Sequence, residues 1–100
     1  KAQRGITVTG NGFYGPQGRV LRLKTKQENL NEQLQSFEFN GIKIMNFEME
    51  TSALYSLGRM MGHKTATICA VIANRHLKQY SKNYKKTVDK MIIYVLEKIK

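Results

Sequence analysis

The sequence predicts an α/β fold in which helices pack on a layered sheet. Three observations carry that expectation. Signals for strand, helix, strand, helix, strand and helix alternate along the chain. Residues 65–73 form a near-continuous β-branched and apolar run, the composition of a central strand covered on both faces. The last seventeen residues read as a long amphipathic helix, with Val88, Met91, Ile92, Val95 and Ile99 on the face turned to the core.

Taken in order, Gly5-Ile-Thr-Val-Thr-Gly10 is β-branched and bracketed by glycines, so it reads as a short strand entering a glycine-rich loop over residues 11–19. Residues 20–24 alternate and read as a short extended segment. Leu30, Leu34 and Phe37 then fall at helical spacing across residues 27–37, with Asn40-Gly41 as the stop. A second strand is expected over residues 42–47. The helix that follows, 51–61, stacks Ala53, Leu57, Met60 and Met61 on one face and stops at Gly62. The Met pair reads as core packing. Residues 65–73 supply the third strand, 74–82 a polar connection and 84–100 the last helix. The chain opens almost directly into a strand, and three strands make a narrow sheet with exposed edges, so a C-terminal piece of a larger domain is expected.

The chain has 100 residues, of which 41% are hydrophobic, a composition that excludes a disordered basic tail. Cys69 is the single cysteine and lies in an apolar run, which excludes an internal disulfide and points to a reducing, cytoplasmic setting. No stretch approaches the roughly 20 apolar residues that cross a bilayer, and no signal-peptide pattern opens the chain. His63 and His76 have no third ligand at metal spacing, so neither points to a metal centre.

The formal charge is +10, and the last fifty residues hold 10 basic and 2 acidic groups of it. Lys78, Lys82, Lys85, Lys86, Lys90, Lys98 and Lys100, with Tyr80 and Tyr84 among them, form either a solvated helix face or a phosphate-tracking surface with stacking aromatics. Lysines predominate, and arginine is the better bidentate reader of phosphates and bases.

Gly10-x-Gly12-x-x-Gly15 follows a strand and superficially matches a dinucleotide fingerprint. The match fails its context. Four glycines and Pro16 within nine residues describe a turning loop where the fingerprint needs a helix start, and no acid follows at the expected distance. What remains is a backbone from which Phe13, Tyr14, Gln17 and Arg19 project.

Gln17 offers an amide acceptor and two donors, and Arg19 offers a planar donor fork two residues later. That pair suits a pyrimidine edge, where two carbonyl oxygens flank an N–H, with Phe13 packed on the ring. Glu48-Met49-Glu50 sits where a strand ends and a helix begins, the place where α/β folds put ligand groups. Acids there also stabilise the helix N-terminus, by about 0.3 to 1 kcal/mol each. A carboxylate at that position can accept hydrogen bonds from adjacent sugar hydroxyls, with the thioether as an apolar wall.

The runs Gly5-Ile-Thr-Val-Thr-Gly-Asn-Gly-Phe-Tyr-Gly-Pro-Gln-Gly-Arg19, Asn46-Phe-Glu-Met-Glu-Thr-Ser-Ala-Leu54 and Val71-Ile-Ala-Asn-Arg75 together resemble the C-terminal half of the uridine phosphorylases, a branch of the nucleoside phosphorylase family. The Phe-Tyr-x-x-Gln-x-Arg element belongs to the uridine-type branch, and Glu-Met-Glu to the wider family. The resemblance covers almost the whole chain in the right order. It implies the three-layer α/β/α phosphorylase/hydrolase-like fold, with residues 1–100 as the C-terminal part of one domain whose N-terminal half is absent.

The resemblance further implies a pentosyltransferase of pyrimidine nucleoside salvage. Phosphate, a co-substrate and not a cofactor, attacks the anomeric carbon of uridine to give uracil and ribose 1-phosphate. Gln17 and Arg19 would bind the uracil and stabilise its developing charge, Phe13 would line the base pocket, and Arg75 would lie near it. Glu48, Met49 and Glu50 would hold the ribose. The phosphate ligands would come from the N-terminal half, so these 100 residues alone are expected to have negligible turnover, and the whole protein would be a homo-oligomer, a dimer or hexamer. Purine-specific relatives carry an Asp where this chain has Asn74-Arg75, which disfavours purine phosphorolysis and hydrolysis by nucleosidases, though purine or broad specificity stays open. The alternative of another class is a small basic nucleic-acid-binding module.

Overall fold

A computed structural model describes residues 2–100, which divide into two compact units meeting at Ala66 and Thr67. The first unit contains β1 (Ile6–Thr9), α1 (Leu30–Ser36), β2 (Glu38–Phe39), β3 (Ile42–Glu48) and α2 (Thr51–Met60). Its sheet runs β1-β3-β2, with β1 parallel and β2 antiparallel to the central β3. Parallel pairing of β1 with β3 matters most for the site. It puts the C-terminal ends of both strands on one edge, so the loop after β1 and the segment after β3 leave the sheet side by side.

The strand and helix expected around residues 5–10, 42–47 and 51–61 are present with near-identical limits. Three other expectations change. Asn40-Gly41 is the turn of the β2–β3 hairpin and not a helix stop; both residues take positive φ, 50° and 75°, as a two-residue primed turn requires. The helix before it is shorter, Leu30–Ser36, and ends at Phe37, whose extended backbone already enters the hairpin. Residues 20–24 pair with nothing and form no strand, only bends at 21–23.

The second unit holds a small antiparallel hairpin, β4 (Ala73–Asn74) and β5 (Gln79–Tyr80), and the helix α3 (Tyr84–Lys98). The run expected as the central strand, residues 65–73, forms no ladder before Ala73, and β3 holds the central place in the sheet instead. β-branched composition suits an extended chain, but a strand exists only where another backbone pairs with it. The polar connection carries that hairpin: Asn74 Oδ1 accepts the Leu77 N–H at 3.1 Å, and the Ser81 N–H donates to Ile72 O at 2.9 Å. Asn83 caps α3, its Oδ1 accepting the Lys86 N–H at 3.3 Å.

The stripes that periodicity announces are covered only in part, and on α2 not at all: Ala53, Leu57, Met60 and Met61 are exposed, and Thr51 and Gly58 are the buried positions. Val88, Met91, Tyr94 and Val95 of α3 are half-buried, whereas Ile92 and Ile99 are exposed. Met60 and Met61 are 82% and 69% exposed, so the pair does not pack in a core. No apolar side chain among the described residues is fully buried. No helix among them is long and apolar enough to cross a membrane.

Candidate active site

The loop after β1 is built by one carbonyl. Tyr14 O accepts the N–H groups of Gln17 and Arg19 at 3.1 and 3.0 Å, around a single 3-10 turn over Gly15–Gln17 with Pro16 in its first positions. Gly18 closes the turn at φ 71°, its N–H donating to Gly15 O at 2.9 Å. A side chain there would be strained in the left-handed region and would meet Asn31, whose amide atoms lie 2.7–2.9 Å from the position of a Cβ. The glycine reverses the chain between the two residues expected to read the base.

Gln17 is buried, 5% exposed. The Arg19 guanidinium carbon lies 3.9 Å from the Phe13 ring centroid and 5.4 Å from that of Tyr14, and the two rings meet edge to face at 5.4 Å. Cation–π contact holds the guanidinium over the ring, worth about 0.5 to 2 kcal/mol depending on desolvation. The Arg19 Nε is buried and has no hydrogen-bond partner. An unpaired buried donor costs about 1–3 kcal/mol.

The segment after β3 is organised by Glu48. One carboxylate oxygen, Oε2, accepts the N–H groups of Glu50 and Thr51 at 2.7 and 2.6 Å, and the other, Oε1, accepts the Thr9 hydroxyl. Glu48 thus serves the start of α2, where Glu50 in the N-cap position makes no side-chain capping bond. Burial acts to raise the Glu48 pKa, but the bonds from Thr9, from the Glu50 and Thr51 amides and from the Thr51 hydroxyl outweigh it and bring the carboxyl from 4.5 down to about 2. An ionised carboxylate with four such donors has its acceptor positions filled.

Glu50 is different. Its Oε2 accepts the Met49 N–H at 3.1 Å, and the side chain is exposed. Of the two acids flanking Met49, Glu50 is the one with acceptor capacity to spare. The two segments adjoin through the backbone as well, since the Gly10 N–H donates to Glu48 O at 2.9 Å.

The structure therefore brings Phe13, Gln17 and Arg19 onto one loop and Glu48, Met49 and Glu50 onto the segment beside it. Arg75 belongs to the second unit, in the β4–β5 turn, where its carbonyl accepts the Lys78 N–H at 3.2 Å. Sequence reasoning passed over Thr9. A parallel pairing of β1 with β3 was the available signal for Thr9, because it sets that residue opposite Glu48. Among the described residues no three His, Cys, Asp or Glu side chains cluster to hold a metal ion.

Compared with known proteins, residues 1–99 match the phosphorylase superfamily. A uridine phosphorylase of Thermococcus kodakarensis is 34% identical over 84 residues, 78% of this chain and 27% of that protein. A protein of Schistosoma mansoni described as an inactive uridine phosphorylase B is 36% identical over 74 residues, 71% of this chain and 24% of the relative. The chain thus spans about a quarter of the length of these relatives. No solved structure matches it.

Proposed function

The chain belongs to the phosphorylase superfamily, and from that premise we propose that the protein carrying it is a pentosyltransferase that cleaves uridine with phosphate to uracil and ribose 1-phosphate. The observation that carries the reading is the Arg19 guanidinium held over the Phe13 ring on the same loop as the amide of Gln17. A guanidinium fork beside an amide matches a pyrimidine, which offers carbonyl oxygens flanking an N–H.

Phosphate oxygen bonds to C1′ as the bond from C1′ to the ring nitrogen breaks. The electron pair leaves with the uracil, the sugar becomes cationic in the transition state, and negative charge spreads onto the uracil carbonyls. Arg19 and Gln17 meet that charge with preorganised donors, an electrostatic role that requires no proton transfer. Glu50 accepts hydrogen bonds from the ribose hydroxyls, and Met49 walls the sugar. Glu48 holds the segment in shape. Phosphate binds through residues outside these 100, and the whole protein is an oligomer of nucleoside salvage in the cytoplasm.

Phosphate-dependent release of uracil from uridine by the native protein, run beside inosine, tests the proposal. Uracil release without inosine cleavage is the expected result. Cleavage of inosine at a similar rate would replace it with a broad-specificity phosphorylase. A second reading, a binding protein without turnover, has the relative described as inactive in its favour. Uridine binding with no uracil release would establish that one.

A further inference from the structure

Thr9 ends β1 and stands in register with Glu48, which ends β3. Its hydroxyl donates to Glu48 Oε1 and accepts the Ser52 N–H at 3.1 Å, on the first turn of α2. An ionised carboxylate can only accept, so the hydroxyl proton must point at Glu48, and that leaves a lone pair for the Ser52 amide. A β-branched residue is also stiff about χ1, so the oxygen has little freedom to leave. One oxygen atom therefore ties together three pieces: the strand end from which the loop of residues 10–19 departs, the carboxylate that shapes residues 48–50, and the N-terminus of α2.

We propose that Thr9 is a positioning residue that sets the distance between the base-reading loop of residues 10–19 and the sugar-binding residues Met49 and Glu50. The inference rests on the uridine reading for what those two segments bind, but not for the coupling itself. Spacing is what the reaction demands: base and ribose are joined by the bond that breaks, so the groups that hold them must stay in register across it.

The neighbouring strand position offers an internal control. Thr7 makes a similar cross-strand bond, donating to Asn46 Oδ1 at 2.9 Å, between the same two strands but away from both loops. Thr9→Val keeps shape and strand preference while removing the hydroxyl, Thr9→Ser keeps the hydroxyl, and Thr7→Val removes an equivalent bond elsewhere. In the native protein, Thr9→Val is expected to lower kcat/KM for uridine by about 100-fold, the cost of a misplacement near 1 Å. Thr9→Ser and Thr7→Val are expected to stay close to the parent.

A second readout separates positioning from mere loss of stability. Without the Thr9 hydroxyl, Glu48 loses one of its donors and its carboxyl moves back up toward 4.5, so the acid limb of the pH profile moves up in Thr9→Val only. Glu50 is the other titratable group on that segment; the strand end and first helical turn facing Glu48 supply Thr9, Gly10, Thr51 and Ser52, none ionisable in this range. Equal losses in Thr9→Val and Thr7→Val with an unmoved acid limb would overturn the proposal. If the native protein cleaves no uridine, the functional reading fails and NMR decides the coupling alone. Titration of the Glu48 carboxyl should then move the amide signals of both segments in the parent, and only those of residues 48–52 in Thr9→Val; identical behaviour in the two proteins would refute it.

Discussion

The Arg19 guanidinium lies over Phe13 with its Nε–H buried and unpartnered, so its charge is held at one place before any ligand arrives. Lysine cannot reproduce this, having neither the planar fork nor a donor at that position. Arg19→Lys is expected to lower kcat for uridine by about 100-fold or more, the range for loss of one charge-stabilising donor, while the melting temperature changes little. Glu48 works by saturation. Its folded pKa is depressed, so its contribution to stability is fully present above 4.5 and is lost as pH falls through about 2. Unfolding midpoints in urea across that window should decline as pH drops in the parent and decline less in Glu48→Gln, which has a lower stability throughout. That Gln17 and Arg19 share one loop and that Glu50 stands just past a strand end was legible, because a glycine-rich run and a strand-to-helix boundary announce themselves. Thr9 was not, since a threonine in a β-branched run reads as strand preference and its second role exists only once Glu48 lies opposite.

At the scale of elements, what could be read was what is local. β1, β3, α2 and α3 each carry their own period, and each forms close to where that period places it. Asn40-Gly41 misled because the same dipeptide ends helices and makes hairpin turns, and only the pairing of Glu38 and Phe39 with Lys43 and Ile42 decides between them. Residues 65–73 misled for the converse reason, having strand composition with no paired backbone before Ala73. The hairpin assignment has a consequence for stability. Gly41 sits at φ 75° with nothing within 4 Å of a Cβ there, so Gly41→Ala meets backbone strain alone. A loss of about 1 kcal/mol in urea unfolding is expected, from the usual cost of the left-handed region. Asn83→Ala removes the side-chain cap of α3 and should cost a similar amount, about 1 kcal/mol, read as faster amide exchange in the first turn of that helix.

Over the whole molecule the decisive quantity is surface. Within each of the two units much of the exposed surface is apolar. Leu23, Met60, Met61 and Ile99 are all more than two-thirds exposed, and no apolar side chain among the described residues is fully covered. At roughly 25 cal/mol per Å², uncovered apolar surface on this scale is a strong drive to associate. The formal charge of +10 opposes that drive through mutual repulsion, and salt screens repulsion without weakening apolar attraction. The two effects predict a sign. Sedimentation of the 100-residue chain should show larger species as salt is raised from low to physiological strength, together with binding of a dye that reports exposed apolar surface. If the +10 charge instead drove association through an anionic contaminant such as nucleic acid, added salt would dissolve the larger species, because counterion release makes such complexes weaker at high ionic strength. The direction of the salt response therefore separates apolar self-association from polyanion binding, and only the first follows from a sheet and helices left largely uncovered.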